Sequence, residues 1–311
     1  GNFIASDIPA VLAHTRRILQ LADGEVVCLT RDGARVLDEG GRPVEKKEML
    51  VDWDVTSAEK GGHAHFMIKE ILEQPAALAA TVSPRVGADG GIVLDGIRLT
   101  AAQLRKIRRI AILACGSAYH AGVVGKYVLE KLTRIPVDVD VASEFRYRDP
   151  IVDANTLAIV ISQSGETADT LAAMREAKRR GARVLSIVNV VGSSIAAESD
   201  DVLYTWAGPE ISVATTKAYS TQLVMLYLLA FYIAHKLGHI DDRDQRRLLS
   251  ALIRLPDLVA GILRQAPQLQ QLAQRYAYLE HAYFIGRNLD YAVALEASLK
   301  LKEISYIHAE A

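Results

Sequence analysis

The polar run Ser162-Gln163-Ser164-Gly165-Glu166-Thr167 follows directly on Ala158-Ile159-Val160-Ile161 and leads into Ala168-Asp169-Thr170-Leu171-Ala172-Ala173-Met174-Arg175-Glu176-Ala177. Four apolar residues, three of them β-branched, read as a buried strand. The later segment is a run of good helix formers. The hydroxyls therefore sit on a strand-to-helix turn, which in an open parallel sheet lies at the carboxyl edge where ligands bind. The first turn of a helix presents unpaired N–H groups and a partial positive charge, which together favour an anion. Ser162, Ser164 and Thr167 can add hydroxyl donors, and Gly165 lets the backbone approach closely. No Lys or Arg lies inside the loop, so the anion is expected to be held by neutral donors. The chemistry expected here is a phosphate cradle. The plainer alternative is a Ser/Thr-capped helix start with no ligand.

Two other groups of residues can do chemistry. Cys115-Gly116-Ser117 ends an earlier apolar run and starts a helical one. Two such turns from neighbouring strands can hold one phosphorylated ligand between them. A thiol at a helix start can be activated, but no base partner is evident, so Cys115 reads as a pocket-lining residue. Glu296, Lys300 and Glu303 are spaced four and three apart, on one face of a helix. By spacing alone this is a solvated Glu296–Lys300 ion pair worth about 0.3–0.5 kcal/mol. His63 and His65 precede a helix without a Cys or carboxylate cluster beside them and read as surface or interface residues, so no metal is expected.

The elements that must position these groups follow from the rest of the chain. Of 311 residues, half are hydrophobic and 23% charged, ample for a globular core and about two domains. The net charge of −1 and an aromatic content of 6% give no support to nucleic acid as a partner. Two distant cysteines without a CxxC argue for a reducing compartment, and no uninterrupted apolar run reaches the ~18 residues of a span, so the expectation is a cytoplasmic protein without a membrane partner. Residues 25–37 read as a hairpin around Asp32-Gly33, and 8–21 as holding a short helix around 11–15. Residues 66–74 read as a helix that Pro75 ends or kinks. From residue 108 strands and helices alternate: strands at 109–114, 137–141, 157–161, 184–188 and 202–204, and helices at 119–132 and 168–180. This predicts an α/β fold, a doubly wound parallel sheet with helices on both faces. Helices are expected over 221–237 (apolar, buried or facing a dimer partner), 242–264 and 267–280. A strand at 282–285 and a helix over 291–308 follow.

The loop 162–167 resembles the phosphate loop of the sugar isomerase (SIS) domain. The chain as a whole resembles the glutamine–fructose-6-phosphate aminotransferase family. Ala142-Ser143-Glu144-Phe145-Arg146-Tyr147-Arg148, Val213-Ala214-Thr215-Thr216-Lys217-Ala218 and Leu299-Lys300-Leu301-Lys302-Glu303-Ile304-Ser305-Tyr306-Ile307-His308-Ala309-Glu310-Ala311 carry the likeness, with Glu59-Lys60-Gly61-Gly62 and Met67 to Pro75 matching the family's linker. The resemblance implies a remnant of an N-terminal-nucleophile glutaminase domain at 1–57, a linker with a helix at 58–100, and a first SIS domain at 101–240. Connecting helices at 241–281 and the start of a second SIS domain at 282–311 follow.

It further implies that Ser162, Gln163, Ser164 and Thr167 hold the phosphate of fructose 6-phosphate or glucosamine 6-phosphate, with Ser117 assisting. Cys115, Gly116 and the backbone around Val213 would line the sugar site. Glu303 would be the general base that moves a proton between C1 and C2, Lys300 its compensating charge, and Glu296 an orienting group. The family's first loop reads Cys-Gly-Thr-Ser, whereas here Ser117 keeps a hydroxyl and Ala118 replaces the second one. The family's N-terminal Cys nucleophile, the His-containing loop and the Schiff-base Lys have no match. The expectation is therefore a fragment that retains phosphosugar binding at most, with glutamine bound only in the absent glutaminase part. A homodimer is expected, and no cofactor. A stand-alone SIS regulator would carry a basic recognition helix before the domain, and a fructosamine-phosphate deglycase would lack the β-rich start; both are disfavoured by residues 1–80. A Rossmann dehydrogenase lacks its G-x-G-x-x-G here.

Overall fold

In the computed structural model, which describes residues 1–5, 11, 14–22, 24–50 and 60–311, the chain divides into two units, Gly1–Phe66 and Met67–Ala311. In the first unit, β1 (Arg17–Ile18), β2 (Val26–Leu29), β3 (Ala34–Leu37) and β4 (Met49–Leu50) form two antiparallel pairs, β1 with β4 and β2 with β3. The β2–β3 hairpin closes where the Thr30 amide donates to the Gly33 carbonyl at 2.9 Å, so Arg31-Asp32 and not the expected Asp32-Gly33 form the centre of the turn. Of the short helix expected around 11–15, residues 12 and 13 lie outside the described residues; the Val11 carbonyl accepts the His14 and Thr15 amides at 2.9 and 3.0 Å, and Arg17–Ile18 pair as a strand, Arg17 also gripping Glu48 at 2.5 and 2.8 Å.

The second unit opens with α1 (Phe66–Val82), which continues past Pro75. The helix does not end there, for a local reason. Proline leaves the carbonyl four residues back without its amide partner, and the Gln74 side chain supplies one instead, its Nε2 donating to the Ile71 carbonyl at 3.1 Å. The short α2 (Ala101–Leu104) starts at a capping box between Thr100 and Gln103.

A five-stranded sheet follows, built from β5 (Arg109–Ala114), β6 (Val137–Val141), β7 (Thr156–Ser162), β8 (Arg183–Val188) and β9 (Asp201–Tyr204), all parallel and ordered β6-β5-β7-β8-β9. Between them run α3 (Gly116–Thr133), α4 (Ala142–Phe145), α5 (Ala168–Arg179) and α6 (Ser194–Glu198). The strands alternate strictly. Ile110, Ile112, Leu157, Ile159 and Ile161 join one core with residues of α3 and the long α7 (Lys217–Leu237). Ala111, Leu113, Ala158 and Val160 join a second with Phe145, Ala173 and Met174. Both faces are thus covered, as a parallel sheet demands. Although α7 is long and apolar enough for a bilayer span, 67% of its apolar 18-residue window is buried within the protein.

The remaining helices are α8 (Asp242–Ile253), α9 (Leu255–Leu263), α10 (Ala266–Arg275) and α11 (Leu289–Ser305). The single helix expected over 242–264 is two, divided at Arg254, with Pro256 in the first turn of α9 where its missing N–H is harmless. The helix expected to reach His308 stops at Ser305. Tyr306 takes a left-handed conformation (φ 60°), and β11 (His308–Glu310) then pairs in parallel with β10 (His281–Tyr283).

The crossovers leave β5 in opposite senses, to β6 on one side and β7 on the other, so the carboxyl ends of β5 and β7 flank the switch point of the sheet. Replacing Pro75 with Ala restores the amide donor in the middle of α1. P75A should raise stability to urea by up to about 3 kcal/mol, measured as a higher unfolding midpoint at an unchanged slope.

Candidate functional site

Cys115 and the loop 162–167 leave the sheet at that switch point. Cys115 is the extended N-cap of α3, and no side chain caps the helix. Because α3 begins at Gly116 and not at Tyr119, Ser117 lies in its first turn. The seat of α3 is set by contact with α7: a Cβ on Gly125 would lie 2.9 Å from Leu226 Cδ2. Thr167 is the N-cap of α5, which likewise has no side-chain cap. Two helix starts with orphan amides therefore face one place.

The loop between β7 and α5 is held from behind. The Asn189 amide donates to the Gln163 carbonyl (3.1 Å) and the Ile195 amide to the Gly165 carbonyl (3.0 Å). The Ser194 amide donates to Glu166 Oε1 at 2.7 Å. Gly165 sits at φ +70°, and a Cβ there would fall 2.0 Å from Ser193 Oγ. Ser162 is buried at 3% exposure; its hydroxyl accepts from the Gly165 amide and shares a proton with Thr167 Oγ1, each at 3.0 Å. It braces the loop more than it faces outward. Ser164 Oγ accepts from the Glu166 amide at 3.1 Å and keeps its own proton available, and Gln163, Ser164 and Thr167 are half-buried.

The second half of the site comes from α11. Glu296 is 5% exposed. Its Oε1 accepts from Ser117 Oγ at 2.6 Å and its Oε2 meets His120 Nδ1 at 2.8 Å. A carboxylate oxygen accepts, so the contact suits the His120 tautomer with its proton on Nδ1. Lys300 Nζ lies 2.5 Å from Glu303 Oε2 and 3.6 Å from Glu296 Oε1, bridging the two carboxylates. The pair expected from spacing is thus a network that reaches α3. Ser117, expected to assist a phosphate, has its only proton committed to Glu296.

A third wall is the segment before α7. Val213 is almost fully exposed (96%), and the backbone around it is fastened from α1. Glu70 Oε1 accepts the amides of Ile211 (2.6 Å) and Ser212 (3.1 Å), Lys217 Nζ meets Glu73 Oε2 at 2.7 Å, and Ser220 Oγ donates to Gln74 Oε1 at 2.5 Å. Burial holds the Glu70 carboxyl above the usual carboxylate range, against the pull of those two amides.

The result is one cleft of about 250 Å³. Cys115, Gly116, Ser117, Ser162, Gln163, Ser164, Thr167, Val213, Lys300 and Glu303 all line it, while Glu296 stands behind it. The Cys115 thiol faces the Thr170 hydroxyl at 3.9 Å and no base, in keeping with a lining role. Sequence reasoning missed Thr215 and Gln222, which also line the cleft, and His120 and Glu70, which brace it. His120 was the most accessible of these, three residues from Ser117 on the same helix face. Glu70 carried no signal. A larger groove of about 470 Å³, lined mostly by apolar side chains of α3, α7 and α8, holds none of the expected site residues.

Residues 103–232 match the SIS domain. The chain is 57% identical, over its whole length, to a glutamine–fructose-6-phosphate aminotransferase (isomerizing) of Caldanaerobacter subterraneus, and 55% identical over 99% of its length to that of Clostridium tetani. It spans about half (51%) of each of these curated relatives. Among solved structures it resembles the C-terminal domain of glucosamine-fructose-6-phosphate aminotransferase from Francisella tularensis, with 43% identity and a TM-score of 0.77, covering 81% of this chain and 71% of that one.

Two outcomes test this geometry. Gly165→Ala must place a side chain in the left-handed region and against Ser193, so it should cost at least about 2 kcal/mol in urea unfolding. Glu70, its carboxyl raised by burial, contributes stability that is complete below the ordinary Glu range and is lost as pH rises through the raised folded value. Glu70→Gln removes that loss and keeps an oxygen for both amides. The thermal midpoint of E70Q relative to the wild type should therefore climb as pH rises above the ordinary Glu range.

Proposed function

Because this chain belongs to the glutamine–fructose-6-phosphate aminotransferase family, we propose that its Met67–Ala311 unit carries the phosphosugar-binding and isomerising site of an enzyme that converts fructose 6-phosphate and glutamine to glucosamine 6-phosphate. The observation that carries this reading is the convergence, in one cleft, of two uncapped helix starts with the Lys300–Glu303 pair.

The phosphate lies against the first amides of α5, with Ser164, Thr167 and the Gln163 side chain as neutral donors. Charge-assisted bonds of this kind are short and strong without a cation in the loop. With the phosphate there, the sugar extends toward α3 and α11. Glu303 takes a proton from C1 and returns it to C2 through an enol-type intermediate. Lys300 balances the carboxylate, and Glu296, braced by Ser117 and His120, fixes Lys300.

Glutamine is taken up by a glutaminase domain of which residues 1–57 are the end, and residues 282–311 open a second SIS domain. A homodimer is in keeping with α9 and α10, which bury no residue and expose Leu258, Ile262, Leu269 and Leu272. Two free cysteines suit the cytoplasm.

Calorimetric titration with fructose 6-phosphate, fructose and inorganic phosphate tests the binding. The sugar phosphate should bind tightest and fructose not measurably. Ser164→Ala and Thr167→Ala should each weaken the sugar phosphate about 10- to 150-fold, the value of one charge-assisted bond. For the proton transfer, deuterium uptake at C1 of fructose 6-phosphate in heavy water should occur with the full-length enzyme that carries this chain and cease in its Glu303→Gln variant, whose affinity for the sugar phosphate should stay near that of the unsubstituted enzyme. A folded chain that binds no phosphosugar would refute the assignment.

A further inference from the structure

Gln222 lies on α7 at 3% exposure and lines the cleft, yet its Oε1 is buried with no hydrogen-bond partner. A buried amide oxygen left unpaired costs about 1–3 kcal/mol. An apolar residue of the same size would fill the space without that cost, so the amide suits a polar partner arriving from the cleft.

Its position says which part of a ligand that is. Gln222 stands one turn before Leu226, the residue that packs on Gly125 of α3. It therefore belongs to the α3–α7 wall and not to the β7–α5 loop that holds the phosphate donors. The charged groups of the cleft, Lys300 and Glu303, engage each other. Gln222 is a neutral side chain that can both donate and accept, and the two ends of its carboxamide exchange by rotation about one bond.

We propose that Gln222 is a specificity-determining contact that hydrogen-bonds a hydroxyl or the carbonyl oxygen of the sugar, while the phosphate is held elsewhere. This rests on the phosphosugar reading above. A site built to hydrogen-bond a substrate oxygen discriminates strongly against a ligand that lacks it, because the protein group is then left unpaired. Gln222 thereby separates a sugar phosphate from inorganic phosphate, a task the loop 162–167 cannot perform alone.

The test uses Gln222→Met, close in shape and without the amide, in the same chain. Fructose 6-phosphate affinity should fall about 10- to 100-fold, with inorganic phosphate affinity unchanged within about 2-fold. Its thermal midpoint should equal or exceed that of the wild type, since the unpaired oxygen is gone. A purely structural amide would instead lower the midpoint and leave the ratio of the two affinities as it was. Should Gln222→Met not fold, the structural role is established and the proposal fails, unless Gln222→Asn, which keeps the amide on a shorter stem, folds and shows the selective loss. Equal weakening of both ligands overturns the proposal. Wild-type binding of fructose 6-phosphate with an unchanged Gln222→Met refutes this inference alone. A wild type that does not bind the sugar phosphate refutes the phosphosugar reading, and this inference with it.

Discussion

The site depends on one buried carboxylate. Glu296 lies at 5% exposure and meets Ser117, His120 and Lys300. Removing a charge from water is costly, and only several well-placed partners offset it. That requirement ties α11 to the first turn of α3. Because α11 is a helix, fixing Glu296 also fixes Lys300 one turn on and Glu303 three residues beyond, both of which then line the cleft. The loss of a partner would leave the buried carboxylate short of compensation, by about 1–3 kcal/mol for the neutral Ser117 hydroxyl and more for a charged partner. The proposed base, Glu303, and the proposed phosphate loop are thus held in register by a contact that lies behind the cleft.

The side proposed to hold the phosphate is organised differently. Its donors are neutral, and its order comes from backbone bonds to the β8–α6 segment and from Ser162 inside the loop. Preorganised dipoles do not have to be reoriented when an anion arrives. They also leave no free cation competing for the base at the other end of the cleft. The third wall follows the same economy of charge. Glu70, Glu73 and Gln74, successive polar residues of α1, take the amides and side chains of residues 211–220. One helix thereby presents Val213 and Thr215 to the cleft. Gln74 serves twice, since its Nε2 also covers the carbonyl that Pro75 leaves open.

Family membership and geometry bear on different questions. The match over residues 103–232 accounts for the sheet and the loop. It does not say what each hydroxyl does. In this chain the alanine at 118 removes one hydroxyl from the first loop, and the one that stays, on Ser117, is turned to Glu296. The donors open to a phosphate are therefore concentrated on β7–α5.

The sequence by itself determined the parallel sheet, the hairpin near residue 32 and the strand-to-helix turns, because alternation, helix propensity and turn chemistry are set by residues a few positions apart. It also placed the hydroxyls of 162–167 and the one-face spacing of Glu296, Lys300 and Glu303. Tertiary structure decided what these groups do. Ser117 and Glu296 are 179 residues apart, and Ser220 and Gln74 are 146 apart; no local pattern encodes such pairs. Burial turned Ser162 from an outward donor into a brace, and turned an apparently solvated ion pair into a network that includes His120. Pro75 and Arg254 mark the same limit from the other side. Propensity predicted an end or a kink at the first and continuity at the second; a side chain that happened to reach a carbonyl let the first helix continue, and a proline two residues on divided the second.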